Sequence, residues 1–196
     1  MKDGINKLPL FLLIVVMAAF WLLCLPVTAH TTKTEQAGLP ILIDQQSLRI
    51  ALQRETRLLP GYSVFDWIEA EVKASGGIVL RGQVVRADLK KQAEQQIALL
   101  PDVKSIENKI EVLPRSYDDE RLRSRAFLAL FGTYSPMFRY ATHELPPLHI
   151  VVKNGRVTLK GTVANAMDSQ LAKLKIRGVR GVREVINELR IDNQLP

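Results

Sequence analysis

The sequence is poor in the residues that usually carry covalent or metal chemistry. Its 196 residues include one cysteine, Cys24, and three histidines. Cys24 lies inside a predicted export signal that ends at Ala29, so the exported part would contain no thiol. Disulfides, thiolate metal ligands and a cysteine nucleophile are then excluded for that part, and its fold must rest on apolar cores.

Long apolar runs are scarce as well, and the clearest one lies at the N-terminus. Lys2 and Lys7 precede an unbroken apolar run of 16 residues over 10–25, followed by a small-residue cleavage pattern ending at Ala29. A spanning helix usually needs about 20 residues. We therefore predict a signal peptide over 1–29, with a retained N-terminal anchor as the alternative, and a flexible segment over 30–43.

The first part of the exported chain has no excess of either charge. Residues 30–114 carry 11 basic and 11 acidic side chains, whereas residues 115–196 carry 14 basic and 8 acidic ones, an excess of six. A basic surface on an exported protein suits anionic lipid head groups or polyanionic wall material better than nucleic acid. A domain that is basic without consequence is the alternative.

The sequence repeats itself at an offset of 79 residues. Residues 76–113 align without a gap to residues 155–192. The identical pairs are Gly76/Gly155, Leu80/Leu159, Gly82/Gly161, Val84/Val163, Ala87/Ala166, Ala93/Ala172, Ile97/Ile176, Val103/Val182 and Asn108/Asn187. Two copies of one structural unit are a stronger signal than any single motif in the chain.

Each copy shows the same order of periodic segments. Alternating strands flank a helical pattern over 86–100 and 165–177, and a further helix precedes each copy, capped by Asp44 or by Ser116. This predicts an α+β fold of two tandem αββαβ units over 44–114 and 115–193. Each unit is expected to be a three-stranded mixed sheet with two helices covering one face.

Several positions have specific expected roles within these units. Asn154-Gly155 predicts a type I′ turn, and Gly161 is expected to face inward, where it would let the covering helix approach closely. The last strands are predicted to turn Val112 and Ile191 inward. Asn108 and Asn187 share those inward faces, where a buried amide needs partners, so we expect a structural hydrogen bond to a turn.

The second copy resembles a BON domain. The resemblance rests on Val-x-Asn-Gly-x-Val-x-Leu-x-Gly-x-Val at 152–163 and Gly-Val-x-x-Val-x-Asn at 181–187, and the first copy carries the same frame more loosely. It implies a bacterial cell-envelope protein in the periplasm or at the periplasmic face of a membrane, linked to phospholipid binding and to osmotic or envelope stress. No catalytic residues are described for the family.

Two groups of residues are candidates for binding an anionic phospholipid surface. The first is the cluster at the end of the second copy's inner helix: Lys173, Lys175, Arg177, Arg180 and Arg183. The second comprises Arg121, Arg125, Phe127 and Phe131, because basic residues beside aromatics suit an interfacial helix. Ordinary solvated charge is the alternative for the first group, and a core or inter-domain role is the alternative for the aromatic residues.

The sequence does not suggest an enzyme, a cofactor or a metal site. His149 is expected on the polar face of a strand without a paired carboxylate, and Asp118-Asp119-Glu120 at a helix start complements the helix dipole. Two functions from different classes follow. One is reversible binding to anionic phospholipid membranes through the second copy, and the other is an adaptor that docks an envelope protein.

Overall fold

The computed structural model describes residues 39–73, 76–101 and 103–193, with side chains from Ser47 onward. The predicted signal peptide over 1–29 and most of the predicted flexible segment lie outside these residues. Within the described part of the chain, none of the helices is both long enough and apolar enough to cross a bilayer.

The first unit consists of two helices and three strands. They are α1 (Leu39–Arg57), β1 (Trp67–Val72), β2 (Gly77–Val84), α2 (Ala87–Ala98) and β3 (Ser105–Val112). The sheet order is β1-β2-β3, with β1 antiparallel and β3 parallel to the central β2. Helix α1 begins at Leu39, ahead of the expected cap at Asp44, so residues 39–43 are helical where a flexible segment was predicted.

The second unit repeats this order with a broken last strand. Its elements are α3 (Tyr117–Phe131), a 3₁₀ helix (Pro136–Thr142), β4 (Leu148–Lys153), β5 (Arg156–Val163), α4 (Ala166–Arg177), β6 (Glu184–Asn187) and β7 (Arg190–Ile191). Both β6 and β7 pair in parallel with β5. The α+β fold of two tandem units is confirmed, and the second sheet differs from the prediction in having its third strand split in two.

Each unit has its own apolar core between the sheet and its two helices. Ile78, Leu80 and Val84 pack with Leu52 of α1 in the first unit, and Val157, Leu159 and Val163 have the same place in the second. Val112 and Ile191 were expected to join these cores, but they are 38% and 53% exposed. Both stand at the C-terminal ends of last strands, outside the clustered core residues.

The glycines of the repeat are explained by backbone geometry. Asn154 and Gly155 have φ values of 53° and 76°, as the predicted turn requires. Gly161 has a φ of 100°, and a Cβ atom there would lie 2.0 Å from the carbonyl oxygen of Pro147. The equivalent Gly82 has a φ of 129°, with Trp67 O at 1.9 Å. The expectation that Gly161 makes room for a helix is therefore wrong, because the neighbouring backbone entering β4 needs the space.

Asn108 and Asn187 attach the last strand to the inner helix. The amide of Asn108 donates to Lys90 O at 2.9 Å, and that of Asn187 donates to Ser169 O at 3.2 Å and to Ser169 Oγ at 2.9 Å. Lys90 and Ser169 are equivalent positions in the repeat. A structural role for both amides is confirmed, with the first turn of a helix as the partner.

The two units are joined through a strand edge as well as through the linker. The backbone N–H of Ile150 in β4 donates to Val64 O in the loop before β1, at 2.8 Å. Val64 is 7% exposed and belongs to the core of the second unit. Phe65 follows it and packs against Phe127 of α3, with 6.1 Å between ring centroids. The first unit thus completes the core of the second.

Candidate functional site

The five predicted cations lie together at the end of α4 and in the turn that follows. Lys173, Arg177, Arg180 and Arg183 are exposed, and Lys175 is half-buried. None of the five forms an ion pair with an acidic side chain in the described residues. We call this group, Lys173, Lys175, Arg177, Arg180 and Arg183, the basic surface.

The acidic side chains of the second unit are mostly engaged elsewhere. Ion pairs within the unit join Glu120 to Arg123, Asp168 to Arg139, Glu184 to Arg156 and Glu188 to Lys160. Asp119 is 2% exposed, and its two carboxylate oxygens accept the N–H groups of Asn154 and Gly155, both at 2.8 Å. Since these carboxylates are paired with groups outside the basic surface, the excess positive charge is concentrated at that surface.

Apolar side chains accompany the cations on the exposed face of α4. Leu174 is 68% exposed between Lys173 and Lys175, and Met167 is 79% exposed. A spacing of seven residues places Met167 and Leu174 on the same side of the helix. The face therefore offers apolar contact beside the positive charge, a combination that suits the boundary between lipid head groups and acyl chains.

Of the two arginines of helix α3 among the predicted site residues, Arg125 reaches this region. The guanidinium of Arg125 donates from Nη1 to Arg180 O at 3.2 Å, which fixes the turn after α4 against α3. Arg121 is exposed, with its guanidinium carbon 5.5 Å from the ring centroid of Tyr117. The structure thus brings Arg125 to the basic surface, in contact with the turn that carries Arg180.

The aromatic half of the prediction is wrong for Phe131. This side chain is 4% exposed and belongs to the core, while Phe127 is half-buried between Phe131 at 5.3 Å and Phe65 of the first unit. Phe131 belongs to the core of its own unit, whereas Phe127 is covered by Phe65 of the first unit. Leu128 of this helix is 66% exposed, lies seven positions after Arg121 and was not among the predicted site residues.

The first unit lacks an equivalent basic surface. The offset of 79 residues maps the five cations onto Glu94, Gln96, Ala98, Pro101 and Lys104, of which only Lys104 is basic. Lys104 and Arg183 share one structural role, since each packs along a turn glycine, Gly76 or Gly155. The other four cations have no structural counterpart in the first unit, which argues that the fold does not require them.

His149 has a different environment from the one expected. It is 4% exposed, and its ring lies between Trp67 at 5.1 Å and Tyr62 at 5.7 Å, because the first unit covers this face of β4. Burial lowers its pKa to about 4, and Arg57 acts in the same direction. Its Nδ1 atom has no hydrogen-bond partner among the described residues. The prediction of a polar strand face at His149 is therefore wrong.

Asp119, in the acidic triplet at the start of α3, has a structural role. Ser116 caps the helix by accepting the N–H of Asp119 at 3.3 Å, and the Asp119 carboxylate holds the β4–β5 turn. Among the described residues, no group of three or more histidine, cysteine, aspartate or glutamate side chains is placed to hold a metal ion.

The fold defines a protein built from two small α+β modules, of which the second carries the basic surface. The family comparison agrees, since the BON domain matches residues 64–114 and 144–193, about half of the chain. The chain belongs to the BON-domain family.

Comparison with individual proteins adds little to this. No curated protein matches the chain. Among solved structures, the C-terminal domain of CdsD, the structural protein of the type III secretion system of Chlamydia trachomatis, is similar at 13% identity and a TM-score of 0.25, over 74% of this chain and 96% of that one. A second structure of CdsD gives 14% identity and a TM-score of 0.27, over 76% and 94%. TM-scores this low mean that the chains do not superpose as wholes, so nothing about function follows from them.

Proposed function

We propose that this protein is a non-catalytic cell-envelope protein whose second unit binds anionic phospholipid surfaces reversibly through the basic surface. Such binding would support envelope integrity or resistance to stress. The observation that carries the proposal is the set of five cations without ion pairs beside exposed Leu174, in a unit whose carboxylates are mostly paired elsewhere. Membership in the BON family supports the envelope location.

The expected strength follows from the number of cations. Each lysine or arginine near an anionic bilayer contributes about 1 kcal/mol, so five contribute at most about 5 kcal/mol. Screening by salt over a Debye length of about 8 to 10 Å reduces this attraction. The contact is then reversible and sensitive to salt, and burial of Leu174 would add a smaller part that salt does not remove.

The test is co-sedimentation of the mature protein with vesicles. We expect binding to phosphatidylglycerol or cardiolipin vesicles at low salt and no binding to phosphatidylcholine vesicles. Changing all five residues of the basic surface to serine should abolish the binding. A matched control changes five cations of the first unit that form no ion pair in the described chain: Arg49, Arg54, Lys90, Lys91 and Lys104.

Both variants lose five positive charges, so a difference in binding between them reports where the charges lie and not the net charge. The control variant should keep most of the binding. Equal loss in the two variants, or full binding by the variant without the basic surface, would contradict the proposal.

An adaptor function is the second candidate, and one observation favours it. Tyr134 is fully exposed and Phe138 is 43% exposed in the connection before β4. Exposed aromatic residues are common anchors at protein interfaces. Cross-linking in cells followed by purification should recover one stoichiometric protein partner if this function is correct, and the yield should not change when lipid is extracted. Recovery of lipid alone would reject it.

A further inference from the structure

The first strand of the first unit has an open edge. Lys73 N–H donates to Gly77 O at 2.8 Å, which closes the β1–β2 hairpin. Backbone groups in an antiparallel pair alternate in direction, so those of Ala70 and Val72 point away from β2. Ile68, the next such residue, donates its N–H to Tyr62 Oη at 3.3 Å. Within the described chain no other strand pairs with this side of β1.

The equivalent edge of the second unit is occupied, and by an extended segment. Ala70 pairs with Leu80, and Ile150 pairs with the equivalent Leu159, so Ala70 and Ile150 hold the same place in the two sheets. Ile150 N–H donates to Val64 O, and Val64 inserts its side chain into the core. The molecule therefore shows how this strand edge receives a peptide: a backbone hydrogen bond together with an apolar side chain.

A cavity of about 860 Å³ runs beside the open edge of β1. Arg49, Gln53 and Arg57 of α1 line it together with Ala70 of β1 and Thr162 of the second unit. Arg49 and Arg57 form no ion pair in the described residues, and the Arg57 guanidinium donates to the backbone oxygen of Leu145 at 3.3 Å. The wall formed by α1 therefore carries two cations that can meet a carboxylate. Glu69 and Glu71 of β1 also line the cavity, but they lie 3.8 Å from Arg190 and 3.6 Å from Arg81.

We propose that the open edge of β1 binds an extended, acidic segment of another protein as an added strand. Its backbone pairs with Ala70 and Val72, and its carboxylates face Arg49 and Arg57. Main-chain hydrogen bonds supply the affinity in this mode of recognition, and the side chains that face the groove supply specificity. This site is distinct from the basic surface, because none of the five residues of that surface lines the cavity.

The test uses a synthetic acetylated peptide of alternating valine and glutamate, followed by backbone amide NMR of the full chain. We expect the amide signals of Ala70 and Val72 to shift on titration and to gain protection from hydrogen exchange. Two N-methylated versions block one edge of the peptide each, so one should lose binding and the other should keep it. If both versions bind equally, or neither binds, strand addition is rejected.

Two variants of the protein complete the test. Ala70→Pro removes the outward N–H without removing a bond to β2, and Arg49→Ser with Arg57→Ser leaves the strand intact, so each should weaken binding by about tenfold or more. Unchanged amide signals in β2 and β3 establish that each variant is folded. Undiminished binding by both folded variants would overturn the proposal.

Three further measurements identify the occupant and distinguish binding at β1 from binding at the basic surface. The variant without the basic surface should still bind the peptide. If the amide signals of Lys173–Arg183 shift and those of β1 do not, the acidic peptide binds the basic surface and the proposal is rejected. A valine–lysine peptide should bind at least about tenfold more weakly. Concentration-dependent dimers in sedimentation that Ala70→Pro abolishes would show a second copy as the occupant and overturn the assignment to another protein.

Discussion

Acidification should loosen the contact between the two units through His149. The ring is buried against Tyr62 and Trp67, and burial lowers its pKa from 6.5 to about 4, with Arg57 acting in the same direction and the backbone of Asp66 and Ser63 opposing. In the unfolded chain the imidazole regains its ordinary pKa. The unfolded state therefore binds this proton first as the pH falls, and stability is lost from about pH 6.5 downward.

The size of the effect follows from the two pKa values. One unit of pKa difference corresponds to about 1.4 kcal/mol, so His149 alone should reduce the free energy of unfolding by about 1.4 kcal/mol at pH 5.5. At pH 4 the reduction should reach about 3 kcal/mol, because the folded-state imidazole is then only half protonated. Below pH 4 the loss levels off.

The assay is urea unfolding at pH 7, 5.5 and 4, with His149→Phe as the variant. Phenylalanine keeps an aromatic ring beside Trp67 and does not titrate. Arg86 lowers the pKa of Asp88, and Lys109 and Lys73 lower the pKa of Glu107. Protonation of these two carboxylates on acidification therefore destabilises both proteins alike. The difference between the two curves therefore isolates His149.

The wild type should lose about 3 kcal/mol more than the variant between pH 7 and pH 4. His143→Phe, at an exposed position, should behave as the wild type. Parallel pH profiles for the wild type and His149→Phe would refute the reasoning, since a histidine that is accommodated equally well when charged cannot have a lowered pKa.

Two further predictions concern the second unit, and both are checked by urea unfolding at neutral pH. Gly161→Ala should reduce the free energy of unfolding by at least about 2 kcal/mol, because its Cβ would meet Pro147 O at 2.0 Å. A Cβ at Gly178 would have no atom nearer than 3.6 Å, so Gly178→Ala should change stability by less than about 0.5 kcal/mol. Similar values for the two variants would reject the backbone explanation. Asp119→Ala should cost about 2 kcal/mol, because Asn154 and Gly155 lose the acceptor of their N–H groups, whereas exposed Asp118→Ala should cost little. A larger loss for Asp118→Ala would mean that charge at the start of α3 matters more than the turn.

Local geometry was predictable from the sequence wherever a residue type has few alternatives. Asn-Gly at 154–155 specifies a turn with positive φ, and the matching asparagines at 108 and 187 indicate a polar partner near a core strand. The order of helices and strands was predictable from the repeat, because a pattern assigned in one copy could be checked at the equivalent residues of the other. The break between β6 and β7 did not follow, because Val185, Asn187 and Leu189 keep the alternation of a continuous strand.

The particular contacts between the units were not predictable, and they account for the error at His149. The loop around Val64 has no strand alternation, yet it supplies a residue to the core of a sheet that lies far along the sequence. The same docking buries His149 and covers Phe127. By contrast, the exposure of the basic surface was predictable, because it depends only on which face of α4 meets its own sheet.

The bond between Val64 and Ile150 has a consequence for how the two copies can change over evolutionary time. A substitution in the loop of the first copy acts on the stability of the second, because Val64 fills that core. The folded second unit therefore includes a residue that lies outside its own copy of the repeat. A fragment of the second unit that begins after Leu113 would have an unpaired edge at β4 and a cavity where Val64 packs. The boundary that the repeat suggests is therefore not one at which the protein can be cut into two stable fragments.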